Sequence, residues 1–442
     1  MILKQNNSPF IKKENELKVL NDEISLKTKK EEIKQKNDDS SIIIESFYVI
    51  NSSSINYEEE KKISEEKENK ENFNVLEFIK VIGRHGNPVE CIKEVGKKFF
   101  ISCGTDGKII VFNRNFIKMK EKTFYNRVHY ISELRHINQS SLDLLACTKD
   151  ALYLFRINES LNKVYCYSKV EGYSFFQKID NDCYLISKNG ESFLVSNLFS
   201  NISLWMREIP FINMHFAGGI QINKYCTVLT SNSIIPYGEN KLLVFDYLTK
   251  KICYEISGYS FLPSSNGLTV ISKNENKILL CACKKYSKFY NNGIFLINFH
   301  FDEERGLNAK SIFYDTKDFE VLCFCQIFVN DKFSNRIFEE YKYKYETNYF
   351  FVGGFDKRKG VGMIRLYKIL DDKDFLDTKI EYIQNIEIEK TNEFKGFRGP
   401  ISSIIQSKTN GKILLTCWDG NIYLFNLPNL HYFKNKKNNY FL

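Results

Sequence analysis

The chain of 442 residues is short of the groups on which most catalytic and metal-binding proteins depend. It has 2 Trp, 5 Met, 7 Pro and 6 His, and no two histidines share the spacing that puts metal ligands on one helix face. None of its 12 cysteines forms a C-x-x-C pair, and none has a histidine at zinc-finger distance. Cys281/Cys283 and Cys323/Cys325 are C-x-C pairs inside apolar, strand-like runs and read as buried thiols. A phosphate loop of the form G-x-x-x-x-G-K-[ST] is missing. "GGFDKRKGVG" (353–362) has glycines and basic residues but no helix to follow, so it reads as a long hairpin corner. His300, Asp302, Glu303 and Glu304 fall in a short stretch that reads as a solvated connection. Apolar runs stay well below the roughly 18 residues of a membrane-spanning helix, and "MILKQNNSPF" lacks the apolar segment of an export signal. These absences lead to expectations of no enzyme activity, no metal, no cofactor and no transmembrane segment. Thiols without an export signal point to cytoplasm or nucleus.

Aromatic residues are plentiful, at 15%, with Phe 37 and Tyr 26. Together with abundant Ile they favour strands over helices. Charge is divided unevenly. Residues 1–72 hold 13 Lys against 16 Asp and Glu, a net of −3, which leaves 50 basic and 38 acidic residues and a net of +12 in the remainder. Tracts such as "KTKKEEIKQKNDD" and "EEEKKISEEKENKEN" bury too little apolar surface to offset their ordering entropy. Residues 1–72 are therefore expected to be a disordered charged tail, 73–430 the folded body, and 431–442 a short basic C-terminal tail.

The body repeats itself. "KILLTCWDGNIYLFNLPN" (412–429) is two apolar runs around an Asp-Gly corner, and "KFFISCGTDGKIIVFNR" (98–114) is built the same way. Six residues after the corner Asp comes an aromatic and then a polar residue: Asp106 to Phe112-Asn113, and Asp419 to Phe425-Asn426. Weaker copies close on Phe155, Val195, Phe245, Ile297 and Tyr367. The early spacing matches a four-stranded repeat of about 40–45 residues. Later units carry insertions, notably 331–348 and 371–392, and the second of these alternates like an outer strand from Ile380 to Ile388.

"GRHGNPVECI" (83–92) and "GFRGPISSII" (396–405), each leading through a Ser-containing strand to a corner, resemble the opening of the WD-repeat unit. The resemblance covers residues 73 to about 430 and implies an all-β, seven-bladed β-propeller of four-stranded antiparallel blades. It also implies structural turn roles for His85, Ser102, Asp106 and Asp419. The closing Trp of that family is Phe, Tyr, Val or Ile in every unit here, and Phe397 stands where the last unit's His would be. In such a ring the strand "FNVLEFIKVIG" (73–83) completes the last unit as its outer strand, which removes two open sheet edges.

By the same resemblance, the corners and the loops before each first strand share one face. Trp418 would be presented there, either to anchor a partner or to pack on a neighbouring unit. Arg84, Asn87, Lys149, Lys188 and Arg398 would lie around it. The function this implies is a non-catalytic WD-repeat scaffold that docks other proteins within a complex. The alternatives are a phosphoinositide-binding or peripheral anionic-membrane propeller and a nucleic-acid-associated one. "GFRGP" has one Arg where the lipid-binding motif has two, and "YKYKY" (341–345) is short for a nucleic-acid stripe, so nucleic acid is disfavoured.

Overall fold

The computed structural model describes residues 75–428 except 97, 139–140, 149, 159–162, 181–182, 189–190, 197–204, 210–214, 224, 233–239, 247–248, 250, 257, 274–275, 286–290, 303–305, 330–344 and 371–377. All described residues fall in the unit Phe73–Leu442. The expected tails at 1–72 and 431–442 lie outside the described residues, as does most of "YKYKY".

One strand stands at the start, β1 (Glu77–Arg84). The first sheet follows: β2 (Val89–Val95), β3 (Phe99–Gly104), β4 (Lys108–Asn113) and β5 (Lys118–Thr123). The second holds β6 (Val128–Asn138), β7 (Ser141–Thr148), β8 (Ala151–Asn158) and β9 (Lys163–Glu171). The third holds β10 (Tyr173–Asp180), β11 (Cys183–Lys188), β12 (Glu191–Ser196) and β13 (Trp205–Ile209). The fourth holds β14 (His215–Gln221), β15 (Cys226–Asn232), β16 (Leu242–Asp246) and β17 (Lys251–Ile256). The fifth holds β18 (Tyr259–Phe261), the 3-10 turn η1 (Ser265–Gly267), β19 (Leu268–Lys273), β20 (Asn276–Lys285), β21 (Asn291–Asp302) and β22 (Gly306–Lys317). The sixth holds β23 (Phe319–Val329), β24 (Tyr345–Asp356), β25 (Val361–Leu370) and β26 (Lys379–Asn385). The closing sheet holds β27 (Ile401–Gln406), β28 (Ile413–Cys417) and β29 (Asn421–Asn426).

Pairing is antiparallel and runs in chain order within each sheet, and β1 adds to β29 in the closing one. The first strand of each sheet packs on the sheet before it, and β2 packs on β27 and β28, so the sheets close a propeller ring. All seven repeat-closing residues fall in third strands or their equivalent, from Phe112 in β4 to Phe425 in β29. The expectation of seven four-stranded blades is corrected. Six sheets have four strands, and the fifth has five. Its inner strand is broken at Pro263, which has no N–H for a ladder, and both pieces, β18 and β19, pair with β20.

The break sends η1 across the ring. Asn266 Nδ2 donates to the carbonyls of Glu90 in β2 (2.8 Å) and Ser402 in β27 (3.1 Å). Those strands belong to sheets that do not neighbour the fifth, so this side chain spans the central opening. Gly218 and Gly219 of β14 let it pass: a methyl on Gly218 would come within 2.6 Å of the Ser264 carbonyl carbon, and Gly219 N donates to Ser265 Oγ (3.1 Å).

The core is divided into wedges between sheets rather than gathered at one centre. One wedge joins the first and second sheets around Val111, Ile131, Leu144 and Phe155, and another joins the sixth and closing sheets around Phe351, Ile364, Ile404 and Phe425. Middle strands are therefore buried on both faces, as in β3 and β7, where every residue is buried. Outer strands are polar: β5 reads KMKEKT and is mostly exposed, which guards its open edge. The C-x-C cysteines are buried as expected, and burial pushes the Cys325 thiol up to about 12. His300 belongs to β21, so 298–302 is hairpin strand and not the loose connection the sequence suggests.

The corner face as candidate docking site

The site is built by two Asp-Gly corners and the loop that lies between them. At the first corner, His85 is buried and its ring bridges Asp106 Oδ1 (Nδ1, 2.9 Å) and Ser102 Oγ (Nε2, 2.9 Å). Asp106 also accepts from the Gly86 and Lys108 backbone N–H groups, at 2.9 and 3.0 Å. Burial lowers the pKa of His85 against the pull of Asp106. Burial would raise Asp106, but the hydrogen bonds from His85 and the backbone outweigh it and hold the carboxyl below its usual range. The corner is thus a carboxylate that holds a buried imidazole in place through its hydrogen bonds.

At the second corner the same task is done by a different residue. Phe397 replaces the histidine, and the Tyr423 hydroxyl donates to Asp419 Oδ2 at 2.6 Å. Asp419 further accepts from Asn421 N (2.9 Å) and Arg398 N (3.4 Å). Burial, and then the hydrogen bond to Asp419, push the Tyr423 pKa up, so its hydroxyl keeps its proton. Phe397 and Tyr423 meet edge to face with ring centroids 5.3 Å apart. The sequence gives no sign of this exchange, because a tyrosine two residues before the closing Phe looks like ordinary strand alternation.

The glycines of both corners meet the connecting loops. Gly107 and Gly420 have φ of +72° and +87°, and a side chain on either would strike the Phe124 or His85 carbonyl. In return those loops donate: Phe124 N to Gly107 O and His85 N to Gly420 O, both 2.8 Å. β1 therefore stands to the closing sheet as β5 stands to the first.

Trp418 sits on top of this framework. Its backbone N–H donates to Pro400 O (2.9 Å), and its Cβ lies 3.1 Å from where a methyl on Gly399 would be. The residue is nonetheless 47% exposed. Arg84, at the end of β1, donates through Nε to Asn421 Oδ1 (3.0 Å), and Asn421 Nδ2 donates to the Tyr423 hydroxyl (3.0 Å). Arg84, Asn87, Arg398 and Trp418 are all exposed around one connected corner. Lys149 lies outside the described residues. Lys188 ends β11, opposite Glu191 of β12, and its side chain lies outside the described residues. Tyr125, absent from the sequence expectations, is 98% exposed beside the first corner. Its signal was two adjacent aromatics, Phe124 and Tyr125, in one short connection, where only one can turn inward.

No protein-family model matches the chain, and no curated protein matches its sequence. Solved structures do resemble it. The β-propeller domain of Myceliophteria thermophila Cps50 (Swd1) matches with a TM-score of 0.50 at 9% identity, covering 77% of this chain and 98% of that one. Kuenenia stuttgartiensis hydrazine synthase matches with a TM-score of 0.51 at 8% identity, covering 77% of this chain and 96% of that one. Among the described residues no helix is long and apolar enough to cross a membrane. At such identities the likeness is one of fold, and the fold is a β-propeller.

Proposed function

We propose that the chain is a non-catalytic propeller of WD-repeat type that docks a protein partner on its corner face, with Trp418 as the anchor. The observation that carries this reading is a contrast within one residue: the backbone N–H of Trp418 is held by the Pro400 carbonyl and its Cβ lies close over Gly399, yet the residue is 47% exposed. A rigid, amphipathic ring loses little entropy when covered, and tryptophans of this kind dominate interface energies. His85, Asp106 and Asp419 are spent on holding the corners, which favours presentation over catalysis. A partner in the cytoplasm or nucleus accords with the thiol-rich sequence.

Trp418→Ala tests it, with Trp418→Phe as the conservative variant. The alanine variant should weaken capture of the wild-type partner set by about 30-fold, corresponding to about 2 kcal/mol. Phe should restore part of that loss, and the melting temperature should stay within about a degree of wild type. A markedly lower melting temperature with capture intact would make Trp418 a packing residue and overturn the reading. Binding to anionic vesicles alone, insensitive to Trp418, would transfer the function to Arg84 and Arg398.

A further inference from the structure

Away from Trp418, a cavity of about 450 Å³ opens between the fifth and sixth sheets, lined by residues of β22, β24, β25 and β26 and of the corner after β24. Its size suits a small ligand or a few residues of a partner. The acidic residues that line it are already engaged. Asp315 accepts from Lys317 N (2.7 Å) and Asn291 Nδ2 (3.2 Å), and Asp356 accepts from the N–H groups of Arg358 and Lys359 (both 3.0 Å). Asp318 is paired with the Arg358 guanidinium.

The donors are engaged only in part, the Arg365 guanidinium sharing a hydrogen bond with the Tyr367 hydroxyl. The Arg365 guanidinium carbon lies 4.2 Å from the Phe319 ring centroid and 5.7 Å from that of Tyr382, so aromatic faces hold the cation in place. Arg365 Nε is buried with no hydrogen-bond acceptor among the described residues. The Tyr314 hydroxyl accepts the Ile380 N–H (3.1 Å), which leaves its own proton to donate. A buried donor without an acceptor is a cost that native interiors rarely leave standing, and it is relieved by a ligand that supplies the oxygen.

We propose that this cavity binds a carboxylate, with Arg365 as the counter-charge, Tyr314 as a second donor and the half-exposed Tyr382 ring as a stacking wall. Charge decides between oxyanions. A carboxylate carries one negative charge, whereas phosphate near neutral pH carries closer to two, and the lining, with Asp315, Asp318 and Asp356 set against Lys317, Arg358 and Arg365, has no surplus cation for the second. Two sources share this chemistry, a free aromatic acid and the chain terminus of a partner protein.

Calorimetric titration of the full chain tests the site with benzoate, benzamide and inorganic phosphate. Benzoate should bind, benzamide and phosphate should bind about tenfold more weakly or not at all, and Arg365→Gln should lose about tenfold in benzoate affinity. Should Arg365→Gln melt early, Tyr382→Leu at the exposed wall replaces it, with an expected loss of about threefold. A short peptide ending in a free carboxylate, set against its amidated form, tests the second source. A preference for the free form over both the amide and benzoate assigns the site to a partner's terminus. Equal binding of benzoate and benzamide, tighter binding of phosphate, no binding of any carboxylate, or wild-type affinity in a folded variant would each overturn the proposal.

Discussion

His85 shows what one buried side chain can do to the whole fold's response to acid. Its pKa in the folded chain lies below the ordinary 6.5, chiefly because burial disfavours the imidazolium. Between the lowered value and 6.5 the unfolded chain binds more protons than the folded one, so stability rises with pH across that window. Acidification from about pH 7.5 to about pH 5.5 should therefore lower the melting temperature, and below the folded value this contribution becomes flat. His85→Gln should be less stable at neutral pH yet show a shallower loss on acidification. Thermal melts of both proteins at a series of pH values check this, and an unchanged slope in the variant would remove His85 as the cause. Asp106 acts in a lower range, where its contribution is lost only as pH falls through its depressed value. His85, Ser102 and Asp106 were pointed to by the resemblance to the WD-repeat unit rather than by composition or spacing alone. Tyr423 was not, since it looks like ordinary strand alternation before Phe425, although its partner Asp419 was marked by the corner.

At the scale of elements, legibility followed the distance over which partners are chosen. Hairpins such as Phe99–Asn113 declare themselves locally, through an Asp-Gly corner between apolar runs. The pairing of β1 with β29 could be inferred because a ring must close, and the register Glu77↔Asn426 to Arg84↔Asn421 meets that need. The crossing by η1 left no such trace. Its acceptors, the carbonyls of Glu90 and Ser402, are 176 and 136 residues away and are backbone atoms, which no side-chain pattern can mark. Nothing in "PSSNG" (263–267) marks the crossing, and the five-stranded sheet went unforeseen. Asn266→Ala removes both hydrogen bonds and should lower unfolding stability by about 1–2 kcal/mol with no change of fold. Urea denaturation, compared at unchanged m-value, measures it. No loss of stability would mean that the crossing contributes nothing beyond filling space.

For the whole molecule, the telling comparison is between two truncations that differ by one strand. Removal of residues 1–72 should leave the melting temperature within about a degree, since their mixed-charge tracts carry too little apolar surface to add to a core. Removal of residues 1–84 deletes β1 and bares the edge of β29 along Asn421–Asn426, where Tyr423 and Phe425 also lose the cover of Phe78. That protein should aggregate, and light scattering during refolding reports it. If both truncations behave alike, β1 is not what seals the ring.

β1 also imposes an order in time. It is made early, yet its partner lies 337 residues further along, as the Arg84–Asn421 bond records. At ribosomal rates of about 5–20 residues per second, the wait is roughly 17–70 s. Each intervening sheet draws its strands from consecutive chain and can assemble as it emerges. β1 alone must stay unpaired throughout, and its Glu77, Lys80 and Arg84, with no run of buried residues, suit it to waiting in water. The nascent ring is thus an open arc while its sheets assemble, locked only when its first strand meets its last.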